Sequence, residues 1–217
     1  MTYSIGIDSG STATKGILLA DGVITRRFLV PTPFRPATAI TEAWETLREG
    51  LETTPFLTLT GYGRQLVDFA DKQVTEISCH GLGARFLAPA TRAVIDIGGQ
   101  DSKVIRLNED GSVKNFVMND KCAAGTGRFL EMMAKTMEMS LDELSQVGLS
   151  YQEDITISSM CTVFAESEVV SLIAQNKHTD DIVHGLNKAV AAKTASLVKR
   201  VGGEEAYMMT GGVAQNK

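Results

Sequence analysis

The sequence predicts an α/β protein made of two similar lobes that face a cleft. Two observations lead to this prediction. A strand–turn–strand–turn–strand pattern occurs twice between residues 3 and 118, and segments with the helical spacing of apolar residues follow it. In both copies, an Asp at the end of an apolar strand stands directly before a turn of small or polar residues. Hairpin-led lobes of this kind are expected to cover a sheet with their helices.

The repeat is visible residue by residue. Apolar strands are predicted at 3–8, 15–20 and 23–30 in the first copy and at 92–96, 103–107 and 112–118 in the second. An Asp-Gly dipeptide, which is a strong hairpin signal, separates the second and third strands of each copy. At an offset of 88, identical residues include Asp8 and Asp96, Gly10 and Gly98, Lys15 and Lys103, Ile17 and Ile105, and Leu19 and Leu107. We interpret the pattern as an internal duplication.

Helical spacing predicts much of the remaining chain. Helices are expected at 36–53, 127–138, from a capping box at 140–143, at about 163–175 and at 179–201. Short strands are expected at 155–158 and 206–209, and the second of these runs into Thr210-Gly211-Gly212. The predicted domains are a first lobe over 1–90 and a second lobe over 91–217.

Composition limits the classes of function. The 217 residues carry 21 basic and 26 acidic side chains, a net charge of −5 without a basic cluster, so nucleic acid is not an expected partner. No apolar run approaches about 18 residues and no signal peptide opens the chain, which predicts a cytoplasmic protein without membrane contact. Three cysteines in such a chain argue against a disulfide framework.

The two Asp-led turns have the composition of a phosphate-binding site. Small residues allow backbone N–H groups to approach phosphate oxygens, and hydroxyl groups add further donors. Asp8 and Asp96 are suited to a hydrated Mg²⁺, and Lys15 adds a positive charge. Either turn alone could be an ordinary β-turn with Asp at its start. The duplication and the late TGG favour a nucleotide clamp.

The motifs of this chain are similar to those of a known superfamily. The DxGST turn, the DIGGQD turn and the late TGG resemble the phosphate-1, phosphate-2 and adenosine motifs of the actin/Hsp70/sugar-kinase superfamily, and no GxxxxGK[ST] is present. The longer blocks resemble the ATP-dependent activators of 2-hydroxyacyl-CoA dehydratases and the ATPase subunits of benzoyl-CoA reductase. These blocks are GYGR (61–64), ADKQ (70–73), SCH (78–80), DIGGQD (96–101), NDKCAAGTGRFLE (119–131), CTVFAESEV (161–169) and TGGVAQN (210–216).

The resemblance implies a duplicated actin-like (ribonuclease H-like) fold around a nucleotide cleft. Relatives continue past TGGVAQN, so a C-terminally truncated second lobe is expected, with lower stability and nucleotide affinity than an intact relative. Asp8, Asp96 and Gln100 are the implied catalytic residues; Gln100 would orient a water, although a structural turn role is equally open. The implied ATP-binding residues are Ser11, Thr12, Ala13, Lys15, Gly98, Gly99, Gln100, Gly211, Gly212 and Gln215, with Asn216 from the same motif.

Two cysteines stand where helices are predicted to begin. Cys122 precedes the helix at 127 and Cys161 the helix near 163, and helix N-termini favour thiolates and anionic ligands. A [4Fe–4S] cluster usually takes four thiolates, which two copies of the chain would supply. The resemblance implies the same: one cluster bridging a homodimer. Two unrelated thiols, or a zinc ion shared across a dimer, are the alternatives, and Cys79 is interpreted as structural.

The expected function is therefore an ATP-driven electron-transfer activator. ATP and Mg²⁺ would act in the cleft, and the cluster would pass an electron to a partner dehydratase or reductase. The expected electron donor is a protein such as ferredoxin or flavodoxin. Asp101 stands where some kinases of the superfamily have a catalytic base, so a small-molecule kinase remains an alternative. A nucleotide-switched binding module without turnover is a further one.

Overall fold

The computed structural model describes residues 1–159, 161–203 and 206–215. The chain divides into two compact units, Met1–His80 and Gly81–Lys217. Each unit has its own sheet.

The first unit contains five strands and one complete helix. In chain order these are β1 (Tyr3–Ser9), β2 (Ala13–Ala20), β3 (Val23–Pro31), α1 (Pro36–Arg48), β4 (Phe56–Gly61) and β5 (Lys72–Gln73). The sheet order is β3-β2-β1-β4-β5, with β1, β2 and β3 antiparallel in sequence and β4 parallel to β1. Buried residues of α1 recur every three or four positions, so one helix face packs on the sheet.

Helix α2 (Glu76–Leu87) leads into the second unit. That unit contains β6 (Ala93–Ile97), β7 (Ser102–Leu107), β8 (Val113–Asn119), α3 (Gly127–Thr136), α4 (Leu141–Val147), α5 (Thr162–Ala174), α6 (Thr179–Val201) and β9 (Tyr207–Thr210), followed by a 3₁₀-helix at Gly212–Gln215. The sheet order is β8-β7-β6-β9, with β6, β7 and β8 antiparallel in sequence and β9 parallel to β6.

The duplication holds at the level of strand register. Asp8 lies opposite Lys15 in the first sheet, and Asp96 lies opposite Lys103 in the second. The register shifts between Leu18 and Leu19 in the first copy, and between the residues 88 positions later in the second. The two sheets share both their strand pairing and the position of the register shift. This confirms the fold class, a mixed α/β protein with two related sheets.

The helices of the second unit share a core. Buried side chains of α3, α4, α5 and α6 form one cluster, which includes Phe129, Leu144, Val169 and Ile182. The C-terminal part of α6 packs on the sheet through Leu197 and Val201. Because both helices that follow the candidate cysteines belong to this core, their positions are fixed by packing.

Two predicted elements differ from the structure. Residues 155–158 were expected to form a strand, but this prediction was wrong. The segment has irregular structure, and its alternating Ile155 and Ile157 are buried against the helical cluster. The first helix ends at Arg48 rather than near residue 53, because Gly50 adopts a φ of +71° just beyond it.

Within the described part of the chain, no helix has both the length and the apolar character required to cross a membrane.

Candidate functional site

The first Asp-led turn joins β1 to β2. Asp8 is the cross-strand neighbour of Lys15, and Lys15 Nζ lies 3.2 Å from Asp8 Oδ2. The Lys15 side chain is 54% exposed, so this ion pair is largely solvated and contributes little to stability. A Cβ at Gly10 would lie 2.9 Å from the carbonyl oxygen of Ala13, which only glycine avoids. The turn therefore presents a movable ammonium group beside a tightly folded backbone.

The other predicted ligands of the first turn lie in the same short segment. Ser11, Thr12 and Ala13 connect the two strands, with Thr12 exposed and the other two half-buried. The Thr12 carbonyl accepts a hydrogen bond of 2.9 Å from the Thr32 N–H, which ties the turn to the end of β3.

The second Asp-led turn joins β6 to β7 and contains a buried charge cluster. Lys103 Nζ lies 2.9 Å from Asp96 Oδ2 and 2.9 Å from Asp101 Oδ2. Asp96 Oδ1 accepts a hydrogen bond of 2.7 Å from the Thr210 hydroxyl. Both side-chain oxygens of Asp96 therefore have protein partners. Gln100, at the tip of this turn, is exposed.

Burial and charge act in opposite directions on Lys103. Burial alone would lower its pKa, but the negative charges of Asp96 and Asp101 and their hydrogen bonds outweigh it. The pKa of Lys103 lies well above its ordinary value as a result. This lysine stays charged inside the protein.

Each Asp also has a Thr-Gly pair beside it on the neighbouring parallel strand. Thr60 lies opposite Asp8, and Thr210 lies opposite Asp96. The following residues, Gly61 and Gly211, have φ values of +84° and +87°. A Cβ at Gly61 would be 2.5 Å from Asp8 Oδ1. Sequence reasoning singled out only the later pair, although the repeated dipeptide after an apolar strand was a signal that could have identified both.

The late motif ends in the 3₁₀-helix. Gly211, Gly212 and Gln215 are exposed, and they follow directly on the strand that pairs with β6. Asn216 lies outside the described residues. The second unit thus brings the phosphate-2 turn and the TGG segment to the same end of one sheet.

The second turn is hydrogen-bonded to the start of α3. The Gly127 N–H donates to the Gly98 carbonyl at 2.8 Å, and the Arg128 N–H donates to the Gly99 carbonyl at 2.8 Å. A Cβ at Gly127 would be 3.1 Å from the Gly98 oxygen, so the contact is close. These bonds use two of the first N–H groups of α3, which sequence reasoning had treated as available to an anion. They join the turn to the segment that carries Cys122.

Cys122 and Cys161 are both exposed. Cys122 lies four residues before the N-cap of α3, and Asn119 donates a hydrogen bond of 2.9 Å to its carbonyl oxygen. Cys161 is the N-cap residue of α5, and its side chain makes no capping hydrogen bond. Among the residues that the structure describes, no group of three or more His, Cys, Asp or Glu side chains is placed to hold a metal ion.

The third cysteine has a different environment. Cys79 is half-buried in α2, and burial raises the pKa of its thiol, which the nearby Thr60 hydroxyl partly offsets. The negative charges of Asp8 and Glu76 raise the pKa further. This thiol is held in its protonated, weakly nucleophilic form, unlike a metal ligand.

Comparison with known proteins identifies relatives across nearly the whole chain. The chain is 70% identical to the uncharacterized protein YjiL of Escherichia coli (strain K12), over 99% of this chain and 84% of that protein. It is 47% identical to the (R)-2-hydroxyglutaryl-CoA dehydratase activating ATPase of Acidaminococcus fermentans, over 99% of this chain and 84% of that protein.

Solved structures agree with this relationship. The activator of the 2-hydroxyisocaproyl-CoA dehydratase from Clostridium difficile, with bound ADPNP, superimposes with a TM-score of 0.90 at 45% identity, covering 99% of this chain and 82% of that one. A ROK hexokinase from Thermus thermophilus has a TM-score of 0.55 at 15% identity, covering 99% of this chain and 83% of that one, which is a likeness of fold alone.

The duplicated sheets have the actin-like and sugar-kinase-like fold, and the relatives identify the chain as an ATPase of that fold. The model of the BadF/BadG/BcrA/BcrD ATPase family matches residues 5–217. The chain belongs to that family.

Proposed function

We propose that this ATPase is an ATP-dependent activator with one [4Fe–4S] cluster per homodimer. It couples ATP hydrolysis to low-potential electron transfer to a partner that resembles a 2-hydroxyacyl-CoA dehydratase or a benzoyl-CoA reductase. A relative that is 47% identical is named as a dehydratase activating ATPase, and another that is 45% identical as a dehydratase activator. The electron donor would be a small redox protein such as ferredoxin or flavodoxin.

One observation carries this proposal: the second turn is bonded to the helix that follows a candidate cluster ligand. The Gly98 and Gly99 carbonyls accept hydrogen bonds from Gly127 and Arg128, five and six residues after Cys122. A change at the turn would therefore move the start of α3 together with the cysteine segment. This is the coupling that an ATP-driven activator needs between phosphate and redox centre.

The other end of α3 reaches the second cysteine-bearing helix. The Thr136 hydroxyl shares its proton between the Met132 carbonyl, at 3.0 Å, and Glu166 Oε1 of α5, at 3.2 Å, and Cys161 is the N-cap residue of α5. Both helices pack in one core. In this proposal, a displacement of α3 would be transmitted to α5 through packing and a hydrogen bond.

The two thiols fit half of the ligand set of a cluster. A [4Fe–4S] cluster usually has four cysteine ligands, and two exposed cysteines in each of two copies give that number. When bound, such a cluster supplies one-electron chemistry. The exposure of both thiols supports a site shared between copies.

The nucleotide residues have separate roles in this proposal. Ser11, Thr12, Ala13 and Lys15 of the first turn, with Gly98, Gly99 and Gln100 of the second, bind the phosphates. Gly211, Gly212 and Gln215 flank the adenosine. Asp8 is the better candidate for direct contact with Mg²⁺, because both oxygens of Asp96 have protein partners. Asp96 would act on the hydrated ion through water.

The geometry of Asp101 argues against a kinase. A catalytic base must reach the hydroxyl of an acceptor. The Asp101 carboxylate instead pairs with Lys103 and is only 6% exposed as a residue.

The experiment that tests the proposal is anaerobic purification with iron and sulfide analysis. We expect about two irons per chain and a brown absorbance, because four irons would be shared by two chains. Cys122→Ser and Cys161→Ser should each abolish both signals. Cys79→Ser is the matched control and should retain them.

The opposite result is equally clear. A colourless, iron-free protein that hydrolyses ATP would rule out the cluster, and phosphoryl transfer to an added acceptor would favour a kinase. Iron that survives Cys122→Ser would show that the ligand assignment is wrong. ATP binding without turnover would favour a switched binding module.

A further inference from the structure

The buried lysine of the second turn bridges the two ends of that turn. Lys103 Nζ lies 2.9 Å from one oxygen of Asp96, in β6, and 2.9 Å from one oxygen of Asp101, directly before β7. The residues between these carboxylates are Gly98 to Gln100, together with Ile97. The Lys103 side chain is 3% exposed. The turn is therefore closed by a buried ionic clamp, defined here as Asp96, Asp101 and Lys103.

The first copy of the repeat lacks this clamp because of one residue. At the offset of 88, Asp101 aligns with Ala13. Among the described residues, Lys15 pairs with the Asp8 carboxylate at 3.2 Å, and its side chain is 54% exposed. The same strand pairing thus holds a solvated, movable lysine in one copy and a fixed, buried lysine in the other.

We propose that Lys103 is a positioning residue for ATP hydrolysis, which acts with Asp101 to hold the second turn in the conformation that the phosphates require. This inference rests on the proposed function, because that function assigns ATP phosphates to the turn. Lys103 reaches neither ATP nor water in this role. It acts through Gln100 and the backbone of Gly98 and Gly99.

The charge balance supports a role beyond stability. Within the clamp, two carboxylates share one ammonium group in a buried place, and burying charged groups is costly. A neutral residue at position 101, such as the Ala13 of the first copy, would avoid that cost. Groups retained against stability commonly serve a site.

Backbone hydrogen bonds extend the clamp to α3. The Gly98 N–H donates to the Asp101 carbonyl at 2.9 Å, which closes the turn on itself. The Gly98 and Gly99 carbonyls then accept from Gly127 and Arg128. Loosening the clamp should therefore weaken all three hydrogen bonds, and this effect is measurable without nucleotide.

The test uses Asp101→Asn in the full chain. Asn has nearly the same shape and removes one buried carboxylate, so Lys103 keeps Asp96 as a charged partner. Lys103→Met is the less useful variant, because it removes the ammonium group that two buried carboxylates share and is expected to unfold the protein. Three quantities are measured: amide hydrogen exchange without nucleotide, kcat and KM for ATP, and the thermal midpoint.

We expect exchange at the amides of Gly98, Gly127 and Arg128 to become about tenfold faster, and kcat to fall about tenfold. The KM for ATP should change less than kcat, and the thermal midpoint should stay the same or rise. The matched control is Lys15→Met, the corresponding lysine of the first copy. It should raise KM for ATP without changing exchange at the three amides.

Several outcomes would overturn the inference. Exchange and kcat that both stay within about twofold of the original protein would show that the clamp does not position the turn. Faster exchange throughout the chain with a lower thermal midpoint would show a general structural role. If Asp101→Asn does not fold, Asp101→Ala gives the same test with the residue of the first copy. An original protein that hydrolyses no ATP would reject the proposed function, while the exchange data would still decide about the clamp.

Discussion

In each of the two sheets, a glycine at the end of one parallel strand allows close contact with the neighbouring strand. Gly61 and Gly211 both have positive φ values, and a Cβ at either position would overlap backbone of the adjacent strand. A backbone carbonyl cannot move aside as a long side chain can. Glycine is therefore required at both positions for conformation and for space.

Gly61→Ala should lower the free energy of unfolding by about 3 kcal/mol, from the left-handed conformation and the overlap with Asp8 and Ser9 together. Gly22→Ala is the matched control, since Gly22 has a φ of +83° in the same unit and nothing within 4 Å of an added Cβ. It should cost about 1 kcal/mol. Urea unfolding of both variants measures the difference. If both variants lose the same free energy of unfolding, the close packing at Gly61 does not contribute to stability.

At the residue scale, the sequence was most informative where chemistry limits the choice of residue. Asp8, Asp96 and the lysines seven positions later were identifiable because the repeat aligns them. The clamp could not be foreseen, since the partners of Lys103 depend on which side chains fold inward. The buried state of Asp101 is likewise a property of packing, and no local pattern records it.

At the scale of elements, the segment before Cys161 depends on one side chain of α5. Glu168 accepts hydrogen bonds from the Ser158 N–H at 3.0 and 2.9 Å and from the Ser158 hydroxyl at 2.8 Å. The Cys161 N–H in turn donates to the Ser159 hydroxyl at 3.2 Å. Ser158 is thereby fastened to the helix that begins after Cys161.

Glu168→Ala should make amide exchange at Ser158 about tenfold faster, because a hydrogen bond to a charged group contributes about 1.5 kcal/mol. Iron should also be lost faster on dilution, since Cys161 would be held less firmly. Ser167→Ala is the control, because the Ser167 hydroxyl bonds only the Val163 carbonyl of its own helix among the described contacts. The interpretation fails if both variants lose iron at the original rate.

Helices and strands with a clear hydrophobic period were predicted correctly. Short elements, and elements with apolar residues on more than one face, were not. The repeated hairpins, α3, α5 and α6 were predicted within a few residues of their observed bounds. Strands β4 and β5 and helix α2 were not predicted. Strand β5 has only two residues, and α2 has weak amphipathic character, so neither produces a clear period. The alternation in 155–158 indicated a strand, but Ile155 and Ile157 are buried by helices instead.

At the scale of the whole molecule, α5 leaves large apolar side chains exposed, and two of them lie within three residues of Cys161. Val163, Phe164, Val170 and Ile173 are 62%, 67%, 52% and 44% exposed. The sequence of α5 is apolar on several sides, so its pattern could not show which side faces the core. An apolar surface next to a candidate shared ligand is what an interface between two copies requires.

Phe164→Glu should convert the proposed dimer to a monomer and abolish iron binding, because a charge would be buried between copies. Phe34→Glu is the control, since Phe34 is a fully exposed aromatic residue of the first unit. Anaerobic sedimentation measures the mass of each variant together with its iron content. A Phe164→Glu protein that remains dimeric at the same concentration would place the interface elsewhere.

The hydrogen bonds at the two ends of α3 have a mechanical consequence. With 10 residues, this helix is a stiff strut of about 15 Å. One end is fixed to the second turn through Gly98 and Gly99, and the other is fixed to α5 through Glu166. Because α3 is stiff and bonded at both ends, a displacement of its first residues would move the whole helix as a rigid body. A sub-ångström rearrangement at the turn would therefore be passed to the start of α5, where Cys161 is the N-cap residue, and to the segment before α3 that carries Cys122.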